Sequence, residues 1–199
     1  DKLNDLGIDK SDFQPAVTDI ANQVDGYYGF PQGFATEIMY YNKDMFDAAE
    51  KSDVDFMFEA SVGGGIPIIT PLKQCLTANR ITEVIGIVNG TTNYMLTKMS
   101  EEDVSYDEAL KSAQEKGYAE ADPTADVEGI DAARKTAILA SIAFNSRVTL
   151  DKVSIEGITK ITPEDIAYAK ELGYVVKLLS VSRENENGID VRVHPTLLP

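Results

Sequence analysis

The residues best suited to chemistry lie in one segment, AQEKGYAEADPTADVEGIDAARK, which runs from Ala113 to Lys135. After Gly117 it holds five carboxylates, namely Glu120, Asp122, Asp126, Glu128 and Asp131. Pro123 and Gly129 predict an irregular loop around them. A helix that starts after Gly129 sets Asp131 and Lys135 four residues apart on one face. A carboxylate there orients the ammonium and favours its charged form, which can give a proton to a developing alkoxide. The alternative is a solvated acidic loop with an ordinary surface ion pair.

A second candidate site is the glycine-rich turn between Glu59 and Ile66, which contains the run Gly63-Gly64-Gly65. Such a turn exposes backbone carbonyl oxygens. Together with one carboxylate, these oxygens suit a hard monovalent cation. A plain tight turn between a strand and a helix is the alternative.

The sequence NGTTN, from Asn89 to Asn93, is a third candidate. Asn89 and Thr91 offer polar side chains to a substrate or a cofactor. The hydroxyls of this stretch equally suit capping of the helix that follows.

Composition narrows the classes of function. The 199 residues carry 18 basic and 33 acidic side chains, a net charge of −15, which argues against nucleic acid as the main ligand. The single cysteine, Cys75, excludes an intramolecular disulfide, and with only one histidine, His194, a Cys/His zinc site cannot form. Cys75 is expected to be buried in a helix, and His194 to be structural. The sequence shows neither a bilayer-spanning apolar run nor a signal-peptide pattern at Asp1, so the cytoplasm is the expected compartment, with no membrane partner.

The elements that position these residues follow from periodicity and capping signals. Strands are predicted at Glu37 to Tyr41, Val54 to Phe58, Glu83 to Val88, Val153 to Ile158, Val175 to Ser182 and Ile189 to Val193. Helices are predicted at Leu72 to Ala78 after Pro71, after Asn93, from Ser105 to Gly117, at Ile130 to Phe144, and at Pro163 to Leu172 after Thr162. This mixture predicts an α+β fold, an open mixed β-sheet with helices on one face.

The acidic segment resembles the signature of homoserine dehydrogenase. The match holds, with all spacings kept, at Ala113, Gly117, Tyr118, Ala119, Asp122, Pro123, Asp126, Gly129, Asp131 and Lys135. Three further blocks are similar to the same family: FEASVGGGIPII from Phe58, NRITEVIGIVNGTTNYMLTKM from Asn79 and VRVHPTLLP from Val191. The resemblance covers residues 53–199, the substrate-binding and dimerisation part of that enzyme.

The resemblance implies NAD(P)-dependent interconversion of L-homoserine and L-aspartate 4-semialdehyde, a step of threonine and methionine biosynthesis, in a homodimer built through the sheet. It implies that Lys135 is the general acid/base and that Asp131 and Asp126 support it through hydrogen bonds. Glu120 would bind the substrate ammonium, with Thr91 as a further substrate contact. The remaining implied roles are Gly117 against the nicotinamide, and Na⁺ or K⁺ held by Glu59 and the backbone oxygens of Val62, Gly64 and Ile66.

The sequence departs from the family in two respects. No GxGxxG motif occurs in it, so these 199 residues are not expected to bind the cofactor tightly by themselves. Residues 1–52 look different: the stretch from Tyr27 to Ala49, YYGFPQGFATEIMYYNKDMFDAA, resembles extracellular solute-binding proteins of sugar-uptake ABC transporters. A chimera is one interpretation and a divergent dehydrogenase N-terminus is the other. A sugar-binding protein is the competing function.

Overall fold

The computed structural model describes residues 51–52 and 57–199. The chain divides into two compact units, Asp1–Gly65 and Ile66–Pro199. In the described part of the first unit, a single 3₁₀ turn spans Glu59–Ser61, and the Ser61 N–H donates to the Phe58 carbonyl at 3.0 Å. The strand predicted at Glu37 to Tyr41 and most of the one at Val54 to Phe58 lie outside the described residues. Residues 57 and 58 are not in a strand.

The second unit is built on an open four-stranded sheet with the order β1-β3-β4-β2. Its strands are β1 (Glu83–Gly86), β2 (Ser154–Ile155), β3 (Val175–Asn185) and β4 (Gly188–Leu198). The β1 and β4 strands pair antiparallel with β3, whereas β2 pairs parallel with β4. The predicted open mixed sheet is therefore confirmed.

Strands β3 and β4 form a long hairpin whose register runs from Val175 opposite Leu198 to Asn185 opposite Gly188. At its turn the Asn187 N–H donates to the side-chain oxygen of Asn185 at 2.8 Å, a bond that asparagine supplies at turns. Gly188 has φ +126°, a conformation that side chains disfavour. These turn residues fix the register of the sheet's two central strands.

Five α-helices complete the described part of this unit. They are α1 (Gly90–Glu102), α2 (Tyr106–Glu115), α3 (Thr124–Val127), α4 (Ile130–Ala143) and α5 (Pro163–Glu171). Apolar residues of α1, α2, α4 and α5 share one core with Val176, Leu178, Val191 and Val193 of the hairpin. These four alternate along β3 and β4 and therefore project from one face of the sheet. No helix of the described residues is long and apolar enough to span a bilayer.

The predicted helix boundaries follow from capping chemistry. Ser105 with Glu108, and Thr162 with Asp165, form reciprocal capping boxes at the starts of α2 and α5. Helix α2 ends at Glu115, and Gly117, two residues further on, has a φ of +75° that lets the Tyr118 N–H reach the Ala113 carbonyl at 2.8 Å. Gly117 thereby turns the chain directly into the acidic loop.

Several predicted elements are shorter than expected. The strand predicted at Glu83 to Val88 ends at Gly86. Pro71 starts a single π-helical turn, Pro71–Cys75, instead of a helix to Ala78, because the Leu76 N–H bonds to the carbonyl five residues back, at 2.9 Å. Only Leu72 of this turn is buried, so Cys75 is exposed and the prediction that it is buried is wrong.

The strand predicted at Val153 to Ile158 is reduced to Ser154–Ile155. Its end leaves the sheet because the Ile158 N–H donates to the Val127 carbonyl at 2.8 Å. Gly157 permits this bond: a Cβ there would lie 2.3 Å from the Val127 carbonyl oxygen. Backbone thus packs directly on backbone, and the last turn of α3 is pinned against the end of β2.

We expect Gly157→Ala to lower the melting temperature. The methyl group forces these backbones apart, and overpacking of this kind costs about 1–3 kcal/mol of the free energy of unfolding. Gly90→Ala is the matched control, since a Cβ at Gly90 meets nothing within 4 Å and lies in a helix. Thermal unfolding followed by circular dichroism measures both. Equal melting temperatures for Gly157→Ala and wild type would show that the loop yields without cost.

Candidate active site

A lysine–carboxylate pair lies on the first two turns of α4. The Lys135 Nζ donates to Asp131 Oδ2 at 2.6 Å and to the backbone carbonyl of Val88 at 3.2 Å. The Asp131 side chain is 9% exposed and that of Lys135 is 24% exposed. The structure therefore brings the two together as the helical spacing predicts, in a half-buried setting that differs from a surface ion pair. Partial removal from water strengthens such a pair.

Asn89 links this ion pair to a further carboxylate, that of Asp126. Its Nδ2 donates to Asp126 Oδ1 at 2.6 Å and to Asp131 Oδ2 at 2.9 Å. Its Oδ1 accepts from the backbone N–H and the hydroxyl of Thr92, both at 2.8 Å. One side chain thus caps α1 and bridges α3 to α4, with two hydrogens and two lone pairs all engaged.

The helix predicted after Asn93 starts earlier, at Gly90. In the sequence, Asn89 is a candidate contact for a substrate or a cofactor. The structure shows it as the N-cap of α1 and as the bridge between two carboxylates. An asparagine between a strand and the start of a helix signals a cap. Its contact with Asp126 and Asp131, 37 and 42 residues away, has no local signal in the sequence.

Thr91 fixes the loop that follows α2. Its hydroxyl donates to the Tyr118 carbonyl at 2.6 Å, and Gln114 Nε2 donates to the Glu120 carbonyl at 3.1 Å. The loop holds the predicted residues Gly117 and Glu120, both exposed. Thr91 therefore ties the start of α1 to the loop that carries them.

The remaining carboxylates of the segment separate into different roles. Asp122 accepts from the backbone N–H of Thr124 at 3.1 Å and from its hydroxyl at 2.6 Å, and the hydroxyl bond, the larger cause, lowers the pKa of Asp122. This bond stabilises the start of α3. Glu128 is exposed at the end of α3. Of the carboxylates that follow Gly117, Asp126 and Asp131 are joined through Asn89.

An aromatic pair that the sequence reasoning missed stands beside the loop. The rings of Tyr94 and Tyr118 are 4.9 Å apart, and the Lys116 ammonium is 5.2 Å from the Tyr94 ring centre. The Tyr94 hydroxyl hydrogen-bonds to Ser112 Oγ at 2.9 Å, which is the main cause that lowers the pKa of Tyr94. This arrangement packs the loop against α1 and the end of α2.

The predicted cation ligands are described separately in the two units. In the first unit, Glu59 lies in the 3₁₀ turn, Val62 is buried and Gly64 is exposed. Ile66 begins the second unit and is exposed. No group of three or more His, Cys, Asp or Glu side chains that could hold a metal occurs among the described residues.

His194 lies in β4, where its Nδ1 is 3.0 Å from the Thr196 hydroxyl.

Fold and site together define an open-sheet α+β domain with a lysine–carboxylate centre suited to proton transfer. The family model for homoserine dehydrogenase matches residues 67–199. The chain belongs to the homoserine dehydrogenase family.

Individual relatives agree with this assignment. The chain is 52% identical over 159 residues to the homoserine dehydrogenase of Bacillus subtilis and 51% identical over 165 residues to that of Synechocystis. These matches cover 80% and 81% of the chain, but only 37% and 38% of the relatives, so the chain spans less than two fifths of their length.

Solved structures give the same result. A homoserine dehydrogenase from Thiobacillus denitrificans is 52% identical, with a TM-score of 0.74, over 80% of this chain and 37% of that one. One from S. aureus is 40% identical, with a TM-score of 0.64, over 78% of this chain and 36% of that one. The family resemblance is confirmed, and nothing in these comparisons supports the solute-binding alternative.

We expect Thr91→Val to loosen the loop after α2. The variant removes the hydroxyl that meets the Tyr118 carbonyl and lowers the free energy of unfolding by about 1–3 kcal/mol. Thr91→Ser is the matched control because it keeps the hydroxyl. Hydrogen exchange at residues 117–120 should be faster in Thr91→Val and close to wild type in Thr91→Ser. The same exchange rates in both variants would mean that the bond does not hold the loop.

Proposed function

We propose that this chain supplies the substrate-binding and proton-transfer part of an NAD(P)-dependent homoserine dehydrogenase, which interconverts L-homoserine and L-aspartate 4-semialdehyde. The observation that carries the proposal is the half-buried ammonium of Lys135, fixed by Asp131 and the Val88 carbonyl. Family membership supports the substrate assignment and its place in threonine and methionine biosynthesis.

The chemistry requires one proton at one oxygen. When the aldehyde is reduced, its C=O π bond breaks, a C–H bond forms with hydride, and the oxygen takes up a proton. Lys135 gives that proton, and in the oxidation direction it takes one from the hydroxyl of homoserine. Asp131 keeps the ammonium in place and compensates its charge in a partly dry site.

The acidic loop gives the substrate its orientation. Glu120 is exposed on the loop that Thr91 fixes, and its carboxylate is suited to the α-ammonium of homoserine. Thr91 acts mainly through that loop, because its hydroxyl is already bonded to the Tyr118 carbonyl. A substrate held at both ends meets the lysine in a productive orientation.

The residues present fit the nicotinamide end of the cofactor. NAD(P), when bound, supplies or accepts the hydride. Gly117 has φ +75° and open space on its side-chain position, so a flat ring can approach the backbone there.

The proposal includes a homodimer through the sheet. On the face opposite Val176 and Leu178, Ile85 is 50% exposed and Val175 is 40% exposed. Apolar residues on an open sheet face are typical of an interface. Light scattering should give twice the chain mass of 21.7 kDa, and Ile85→Asp should give the single mass.

The cytoplasm is the proposed compartment, supported by the single cysteine.

We expect Lys135→Met to lower kcat about 10²–10⁴-fold, the range typical of general acid–base catalysis. The activity is measured in a full-length enzyme in which residues 67–199 replace the matching segment of the Bacillus subtilis relative, which is 52% identical. Lys98→Met is the matched control: Lys98 forms an i,i+4 pair with Glu102 at 2.5 Å on α1. It should leave kcat unchanged.

Glu120→Gln gives a contrasting result in the same chimera. It should raise KM for homoserine more than it lowers kcat, because a contact made in ground and transition states alike changes binding. If Lys135→Met keeps near-normal kcat with an intact fold, Lys135 is only one half of a structural ion pair.

We expect Na⁺ or K⁺ to raise the melting temperature if the turn after Glu59 forms a cage of oxygens. Ligands that bind the folded state stabilise it by mass action. Glu59→Gln should abolish the rise, with choline chloride at equal ionic strength as the control salt. An identical response of wild type and variant to both salts would leave a plain turn.

A further inference from the structure

Asn89 stands out among the polar residues because it is only 5% exposed and makes contacts with three helices. It lies between β1 and α1, and its side chain reaches Asp126 of α3 and Asp131 of α4. A buried amide with this many partners is costly to misplace, since each donor or acceptor left unpaired loses its hydrogen bond without regaining one to water.

Helix capping explains only half of this side chain. The cap uses Oδ1, which accepts from the Thr92 N–H, and serine or aspartate supplies an equivalent oxygen. The NH₂ group adds nothing to the cap. Both of its hydrogens point at carboxylates instead, at 2.6 and 2.9 Å. The NH₂ group of Asn89 therefore has a role other than helix capping.

The donors control how the lysine is held. Asp131 Oδ2 accepts from both Lys135 Nζ and Asn89 Nδ2, so the amide fixes the oxygen that fixes the ammonium. Val88, directly before Asn89, accepts from the same ammonium through its carbonyl. Two consecutive residues thus hold the ion pair from both ends.

The amide also lowers the repulsion between the two carboxylates. The charged groups that face it are Asp126 from α3 and Asp131 and Lys135 from α4. Asp122, in the loop before α3, is bonded to Thr124. Two neutral N–H dipoles stabilise two anions, while one ammonium compensates a single charge.

We infer that Asn89 is a positioning residue for proton transfer: its amide donors orient Asp131 toward Lys135 and limit the negative potential at the ammonium. This rests on the proposed function. Asn89 acts through Asp131 and does not itself touch the reacting oxygen. Without the donors, the carboxylates hold the lysine proton more tightly and in a less defined direction.

Two variants separate positioning from capping, since Asn89→Ser and Asn89→Asp both keep an oxygen for the helix cap. In the chimera described above, homoserine oxidation requires Lys135 to accept a proton. The acid limb of the pH profile of kcat should therefore move to higher pH. We expect a shift of about one pH unit for Asn89→Asp, because it adds a third carboxylate, and a smaller shift for Asn89→Ser. At neutral pH, kcat should fall about 10-fold for Asn89→Asp, following that one-unit shift, with a smaller change in KM.

Thr162→Ala is the matched control, because it removes the cap of α5 and leaves the site intact. It should lower the melting temperature without moving the pH profile. Unchanged acid limbs in both Asn89 variants, with effects on melting temperature alone, would overturn the positioning role.

A measurement on the 199-residue chain is independent of turnover. The side-chain NH₂ protons of Asn89 should exchange slowly with solvent, because both are donated to carboxylates, and Asp126→Ala should speed the exchange of one of them. Fast exchange of both protons in the wild-type chain would overturn the inference. Slow exchange together with an inactive wild-type chimera leaves the positioning contact standing and contradicts the proposed function instead.

Discussion

The half-buried ion pair of Lys135 and Asp131 is the interaction on which the rest of the site depends. An ammonium with limited access to water must be matched by an anion at close range, and Asp131 meets it at 2.6 Å. That anion, itself 9% exposed, needs a further donor, and Asn89 provides one at 2.9 Å. Each polar group that is removed from water therefore needs a further hydrogen-bonding partner. Lys135 is paired with Asp131, Asp131 accepts from Asn89, and Asn89 in turn caps α1.

The fold serves this chain of contacts with close backbone packing. Gly129, with φ +79°, turns the chain from α3 into α4 and puts Asp126 and Asp131 on either side of the Asn89 amide. Gly157 lets the backbone that follows β2 pack directly against the backbone of α3. The loop after α2, fixed by the Thr91 hydroxyl, carries the groups proposed to contact the substrate.

Sequence reasoning succeeded where the physics is local. The caps at Ser105 and Thr162 depend on the first turn of the helix that each residue starts, and the pair of Asp131 and Lys135 depends on residues one helical turn apart. It failed where the structure depends on contacts between residues that are far apart in the sequence. Cys75 is exposed because the π turn has one buried side chain, and the loop after Ile155 leaves the sheet because Ile158 bonds to α3. The bridge through Asn89 joins residues about forty positions apart, which periodicity cannot show.

Proton transfer by Lys135 can be tested most directly by chemical rescue in the oxidation direction, in which the side chain accepts the proton of the homoserine hydroxyl. Lys135→Ala in the chimeric enzyme removes the ammonium, and small primary amines in solution can then take its place. If Lys135 transfers the proton, the rescued rate of homoserine oxidation should rise with amine concentration and with amine basicity, as Brønsted behaviour requires. A correctly folded Lys135→Ala enzyme that no amine rescues, or that turns over as fast as wild type without any, would contradict the role of Lys135 in proton transfer.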